Sequence, residues 1–266
     1  MKVYLSADIE GTAGIAHWDE TERTHADWTE YRALMTGEVL AACEGARAAG
    51  AEEVVIKDAH DSARNLIVDR LPDYVRIVRG WSGHPDQMMF GIGRDFAAAL
   101  YTGYHARAGS EANPLAHTSS LRISQILVNG EPASEFTINA LCAAIYGVPS
   151  VFLSGDAQMC ADAQAMVPGI TTVATLEGFG RATNSIAPSR ARALIRDGVE
   201  QALTRPKKDV VPPIPAAVEV VVAFNNPHDA YKSRFYPGAI DHGPCAVAYK
   251  HTDFAEILRA LLFIKG

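Results

Sequence analysis

The 266-residue sequence has few cysteines, no cluster of basic residues and no long apolar run. Its four cysteines lie far apart and form no CxxC pair, which argues against both a structural zinc site and a dense disulfide framework. A net charge of −7 without a Lys/Arg cluster argues against nucleic-acid binding. Because no stretch is long enough to span a membrane and no signal peptide is recognisable, we expect a cytoplasmic protein without a membrane partner.

Predicted strands and helices alternate along most of the chain. Residues 27–50 are rich in Ala, Leu and Glu and end in a glycine, which is typical of a helix, and the β-branched residues 53–56 follow as a strand. This alternation predicts an α/β protein with a mostly parallel sheet and helices on its faces. Prolines cluster between residues 206 and 215 and indicate a linker, after which residues 217–266 should form a small βαβ-type tail.

The first predicted strand delivers two carboxylates to its carboxyl end. Asp8 and Glu10 are two positions apart, so strand geometry would point them to the same side. The carboxyl ends of strands are where α/β proteins bind ligands. Two like charges held there require a cation, a proton or bulk water, and a metal ion is the interpretation that gives the pair a chemical use.

Further potential ligands follow other predicted strands. His60 follows the second strand and His105 follows an Ala-rich buried strand, whereas Glu135 lies in a turn before a helix. This mixture of carboxylates and imidazoles suits Zn²⁺ or Mn²⁺. Taken singly, each residue has a simpler explanation. Asp8 and Glu10 could be solvated strand-end acids, His60 a loop histidine, His105 a core histidine and Glu135 a helix N-terminal acid. His117 lies in a separate loop.

Five motifs carry a family resemblance over nearly the whole chain. In chain order they are Ser-Ala-Asp-Ile-Glu-Gly at 6–11, Lys-Asp-Ala-His-Asp-Ser at 57–62, Gly-Tyr-His-Ala-Arg-Ala at 103–108, His-Thr-Ser at 117–119 and Asn-Gly-Glu-Pro-Ala-Ser-Glu at 129–135. Together they resemble the zinc-dependent D-aminopeptidase family that is encoded with dipeptide-transport operons.

The resemblance implies a centre with two Zn²⁺ ions per subunit. Asp8 would bridge both ions, Glu10 and His105 would complete one site, and His60 and Glu135 would complete the other. His117 would match the family's catalytic histidine. We interpret it as a proton shuttle or an oxyanion donor rather than a nucleophile, because an imidazole beside a metal-bound hydroxide serves those roles more economically.

The resemblance also implies the architecture and the assembly. A Rossmann-like α/β domain carrying the metal site would occupy residues 1–205, and residues 206–266 would form the linker and a smaller C-terminal α/β domain. The family assembles as a ring-built decamer that encloses its active sites, so a homo-oligomer is expected.

The expected function is hydrolysis of N-terminal, D-configured residues from short peptides or amino-acid amides by a metal-bound hydroxide. One alternative is a di-metal hydrolase of other small amides or of L-peptides. A phosphoesterase is a weaker alternative because Arg107 is the only obvious basic residue near the motifs. A non-catalytic metal-binding protein is weaker too, since five ligands shared by two ions leave coordination positions open.

Overall fold

The structure, a computed structural model that describes residues 1–266, contains twelve strands and six α-helices. The strands are β1 (Lys2–Ala7), β2 (Glu53–Asp58), β3 (Val75–Val78), β4 (Ala98–Tyr104), β5 (Ile123–Val128), β6 (Glu131–Pro132), β7 (Ser150–Asp156), β8 (Thr171–Phe179), β9 (Ala182–Ser185), β10 (Val218–Phe224), β11 (Ile240–Asp241) and β12 (Ala246–His251). The helices are α1 (Trp28–Ala48), α2 (Glu135–Ile145), α3 (Ala157–Met166), α4 (Pro188–Thr204), α5 (Pro227–Ser233) and α6 (Phe254–Lys265). None of the six combines the length and the apolar character needed to cross a bilayer.

Sheet A has seven strands in the order β3-β2-β1-β4-β7-β8-β9. All neighbouring pairs are parallel except β8 and β9, which pair antiparallel. Every residue of β4 and β7 is buried, as expected for central parallel strands that are covered on both faces. The α/β class and the mostly parallel sheet are thus confirmed. The strand order reverses at β1, so the carboxyl ends of β1 and β4 form the edge where ligands are expected.

Sheet B has five strands in the order β11-β12-β10-β5-β6 and is antiparallel throughout. The predicted βαβ arrangement of the C-terminal tail is wrong, because β10 pairs directly with β12 in antiparallel register. Strand β5, from the middle of the chain, pairs with β10. It continues into β6 through Asn129 and Gly130, whose positive φ angles of 52° and 87° allow a tight hairpin turn. Sheet B therefore uses strands from both sides of residue 205, and the division there stays a prediction.

One continuous core joins the two sheets. Its 63 buried apolar residues extend from β1 to α6. Helices α1 and α4 pack together on sheet A, while α6 packs against α2 and against β10 and β12 of sheet B. This packing brings the C-terminal helix close to the carboxyl edge of β1 and β4, where α2 begins.

Gly103 lies where β4 passes the end of β1. Its φ angle is +69°, and a side chain at this position would collide with the backbone carbonyl of Asp8. The amide of Asp8 donates to the carbonyl of Thr102 at 2.8 Å, and that of Gly11 donates to the carbonyl of Gly103 at 2.9 Å. The close approach of the two strands therefore fixes the backbone that carries the two N-terminal carboxylates.

We predict that Gly103→Ala lowers the free energy of unfolding by about 2–4 kcal/mol, because it combines a left-handed backbone with a backbone collision. Gly147→Ala is the matched control, since Gly147 has a φ angle of +71° and no atom within 4 Å of the added methyl group. The control should lose only about 1–2 kcal/mol. Denaturant unfolding of both variants measures the difference, and equal losses would show that the strand crossing tolerates a side chain.

Candidate metal centre

Three parallel strands bring four of the expected ligands to one edge of sheet A. Asp8 and Glu10 follow β1, His60 follows β2 by one intervening residue, and His105 directly follows β4. Strand β1 ends at Ala7, so the two acids lie in the turn beyond it and not on one face of the strand. They still converge, since the Nδ1 atom of His60 is 3.3 Å from Asp8 Oδ1 and 3.1 Å from Glu10 Oε1.

The other two candidates come from the segments flanking the β5–β6 hairpin. Glu135 is the first residue of α2, which is capped by the Ser134 side chain. The backbone amide of Ser119 donates to Glu135 Oε1 at 2.6 Å, and Ser119 has a φ angle of +65°. His117 does not lie apart from the cluster: its ring stacks on that of His105 with centroids 4.3 Å apart.

Three groups of side chains have ligand atoms within 4.8 Å of one another: Asp8–Glu10–His60, Asp8–His105–Glu135 and Glu10–His105–His117, of which the first two share Asp8. The five residues of the first two triads are all buried. The two oxygens of Asp8 face different triads, because Oδ1 lies near His60 and Oδ2 lies 3.5 Å from the Nε2 atom of His105. The same nitrogen of His105 is 3.6 Å from Glu135 Oε2 and 3.9 Å from Glu10 Oε2.

Backbone carbonyls fix the tautomers of the three histidines. His60 Nε2 donates to the carbonyl of Thr21, His105 Nδ1 to that of Ala106, and His117 Nδ1 to that of Leu115, each at 3.0 Å. A carbonyl can only accept, so these nitrogens carry a proton, and in the neutral ring the other nitrogen is the one available to a metal ion. In all three residues that free nitrogen faces the carboxylates, which is the arrangement of metal-ligating histidines.

Charge attraction within the cluster shifts the pKa values of its members in opposite directions. Burial would lower the pKa of both His60 and His105, yet attraction to Glu10 and to Glu135, respectively, raises each well above its ordinary value. Burial would raise the pKa of Asp8, but the close approach of His105 and His60 holds it well below the usual range. The pKa of Glu135 is lowered as well, chiefly by His105 against the effect of burial. The lowered pKa values keep Asp8 and Glu135 ionised.

The cluster fits a metal ion better than a proton network. Three of its buried ligand atoms, both oxygens of Glu10 and the Nε2 atom of His105, have no hydrogen-bond partner in the protein. Buried polar atoms normally have partners, so these atoms require another one. Three carboxylates with two to three neutral imidazoles form a hard-to-borderline donor set that suits Zn²⁺.

Several supporting residues escaped the sequence analysis. Both oxygens of Asp58 accept hydrogen bonds from Asn65, and the Asn65 side chain also donates to the carbonyl of His60 at 2.7 Å. These hydrogen bonds hold the loop that carries His60 and thereby orient this residue. The Lys57–Ser62 motif contains Asp58, but nothing local indicates Asn65 as its partner. Lys265 was missed too: burial lowers its pKa to about 8, against the attraction of Glu135.

The cluster opens into a cavity of about 390 Å³. His60, His117 and Glu135 line it, together with the apolar side chains of Trp81, Met88 and Leu262. Of the six other histidines in the chain, only His84 lines this cavity. The size and the mixed lining are suited to a small molecule with one or two side chains.

Comparisons with known proteins identify relatives of this chain. A family model described as D-aminopeptidase matches residues 1–263. A curated D-aminopeptidase from Bacillus subtilis is 29% identical over 266 residues, which covers 98% of this chain and 96% of the relative. The solved structure of "Zn-dependent D-aminopeptidase DppA from Bacillus subtilis, a self-compartmentalizing protease" superimposes with a TM-score of 0.93. It is 27% identical, and the match covers 100% of this chain and 97% of that one.

Proposed function

The chain belongs to the D-aminopeptidase family, and from that premise we propose that it removes D-configured N-terminal residues from short peptides or amino-acid amides at a two-zinc centre. The observation that carries the proposal is the pair of buried triads that share Asp8, with its two oxygens directed to different histidines. A carboxylate that presents one oxygen to each site can bridge two ions, as in other two-metal hydrolases.

The distances favour one division of the ligands. Asp8, Glu10 and His60 would hold one ion, and Asp8, His105 and Glu135 would hold the other, because the contact of His60 with Glu10 is 3.1 Å and that of His105 with Glu135 is 3.6 Å. The resemblance implied that Glu10 and His105 share a site, and their separation of 3.9 Å is longer. Glu10 would share an ion with His60 in the first division and with His105 in the second. Both of its oxygens lack a hydrogen-bond partner in the protein.

Zinc, when bound, supplies a Lewis acid that polarises the scissile carbonyl and activates water. The protein's own contribution to proton transfer is assigned to His117. With its Nδ1–H held by the Leu115 carbonyl, the Nε2 atom is directed at the cluster, 3.6 Å from Glu135 Oε1. His117 is also less buried than the five ligands, with 14% of its side chain exposed, so it can reach a substrate. It would accept a proton at Nε2 during attack and return it to the leaving amine.

We predict about two zinc ions per chain for the wild type, as expected of a two-metal hydrolase site. Asp8→Ala should lose most of both ions because it removes the shared ligand, whereas Glu135→Ala should retain about one. Glu111→Gln, at an exposed loop position, is the control and should retain the full complement. Elemental analysis of purified protein measures the stoichiometry, and an intact complement in Asp8→Ala would remove the bridging assignment.

We predict that His117→Ala keeps its zinc but loses at least about 10²-fold in kcat, as expected for a positioned acid–base group. Paired D- and L-alanine amides are the substrates, and the wild type should favour the D isomer. His228→Ala, whose side chain is 78% exposed, serves as the control. A His117→Ala variant that loses zinc would make this histidine a ligand, and a wild type that prefers the L isomer would refute the stereochemical assignment.

The proposal extends to assembly as a homo-oligomer, with the decamer as the form that the family resemblance implies. Exposed aromatic side chains cluster on α5 and α6 and in the turn after α5: Phe235 is 73% exposed, Phe263 is 62% exposed and Tyr231 is 61% exposed. Tyr231 and Phe235 are in edge-to-face contact. An apolar patch of this kind on a surface is typical of an interface, and a second copy of the chain would cover it.

Light scattering at micromolar concentration should therefore give a mass several times that of the chain. Phe235→Ser combined with Tyr231→Ser should reduce it, because these changes remove apolar surface from the interface. Leu194→Ser, an exposed apolar residue on α4, is the control and should leave the mass unchanged. A monomeric wild type would remove the proposed assembly, and an unaffected double variant would move the interface to another surface.

A further inference from the structure

A buried lysine enters the active-site cavity from the C-terminal helix. Lys265, the last residue of α6, is only 9% exposed and lines the same cavity as His117 and Glu135. Its Nζ atom donates to the hydroxyl oxygen of Ser119 at 2.8 Å. The proton-transfer scheme above does not use this ammonium group.

The ammonium group forms no direct ion pair within the protein, and Glu135 attracts it only from a longer distance. No carboxylate oxygen lies within 4.0 Å of Lys265 Nζ, and the Ser119 hydroxyl is the single hydrogen-bond acceptor that it contacts. An ammonium group has three N–H donors, so two remain without a protein partner. Burial of an incompletely paired charge is costly. The lysine is therefore poised for an anionic ligand.

The charge of the loaded centre strengthens this argument, which rests on the proposed function. Asp8, Glu10 and Glu135 together carry three negative charges, and two divalent ions exceed them by one positive charge. With zinc in place, the nearby carboxylates are neutralised and cannot compensate Lys265. The cavity then has an excess of positive charge, which an anionic substrate group would balance.

The position of Lys265 indicates which anionic group of the substrate it would contact. Ser119 connects Lys265 to the proposed metal centre, since its hydroxyl contacts Lys265 and its amide donates to Glu135 Oε1 at 2.6 Å. One residue and two hydrogen bonds thus separate the ammonium group from a proposed zinc ligand. A single extended residue spans roughly 3.3–3.6 Å. Each further residue of a longer peptide would move the terminal carboxylate another such span away, so this short connection favours the carboxylate of the residue directly after the scissile bond.

We propose that Lys265 is a specificity-determining residue that binds the free carboxylate of a dipeptide substrate. Its ammonium group forms a charge-assisted hydrogen bond with the carboxylate while Ser119 holds the side chain in place. The protein therefore acts on dipeptides in preference to the corresponding amides, which lack the charge. A lysine that instead stabilised the scissile carbonyl would promote hydrolysis of both substrates equally.

The test compares D-alanylglycine with D-alanylglycinamide, which share the scissile bond and differ only in the charge of the terminal group. For zinc-loaded wild type, kcat/KM should be about 10–100-fold higher for the free acid, as expected for a hydrogen bond to a charged group. Lys265→Met should lose that preference, chiefly through a higher KM for the acid, while kcat/KM for the amide stays within about threefold. Lys265→Arg should keep part of the preference.

Lys208→Met, at an exposed linker position, is the matched control and should behave as the wild type. Equal losses on both substrates in Lys265→Met would overturn the proposal, and so would a wild type without preference for the acid, a result that requires no variant. Thermal unfolding and zinc content of each variant identify a folding defect. If zinc-loaded wild type hydrolysed neither substrate, the proposed function would fail, and the inference with it.

Discussion

Three buried carboxylates converge on two histidines at one edge of the parallel sheet, and their mutual repulsion is the constraint on which the site depends. Asp8, Glu10 and Glu135 are each less than 10% exposed, so water cannot screen them. Protonation of His60 and His105 would compensate them in part, and the raised pKa values of both histidines express that attraction. The partnerless atoms of Glu10 and His105 show that protons alone leave the cluster incompletely satisfied. Divalent cations satisfy both the charge and the coordination.

The scaffold holds these groups in place through backbone contacts. Strand pairing brings the ends of β1, β2 and β4 together, and the close passage of Gly103 under the Asp8 carbonyl leaves the turn after β1 little freedom. Carbonyl acceptors then orient each imidazole. The proposed ligands are thus preorganised, which would lower the conformational cost of binding an ion.

Sheet B contributes to the same site from the opposite side. The residues flanking its β5–β6 hairpin carry His117 and Glu135, and α6, which packs on this sheet, brings Lys265 into the cavity. Ser119 connects the two contributions through its amide and its hydroxyl. The ligands from the parallel sheet would supply the chemistry, and the C-terminal helix would select the substrate.

Local sequence patterns predicted individual helices and strands and the residues that are candidates for binding a metal ion. Local patterns predicted the helix at residues 27–50 and the strand at residues 53–56, which correspond to α1 and β2 of the structure, because periodicity is a local property. Residues that follow parallel strands were identified as ligands because such strands end at one edge, and this logic reached Asp8, Glu10, His60 and His105. Only the tertiary structure decided the antiparallel pairing of β10 with β5 and β12, the stacking of His117 on His105 and the approach of Lys265 to Ser119. Each of these joins segments far apart in the chain, and no local pattern encodes such a contact.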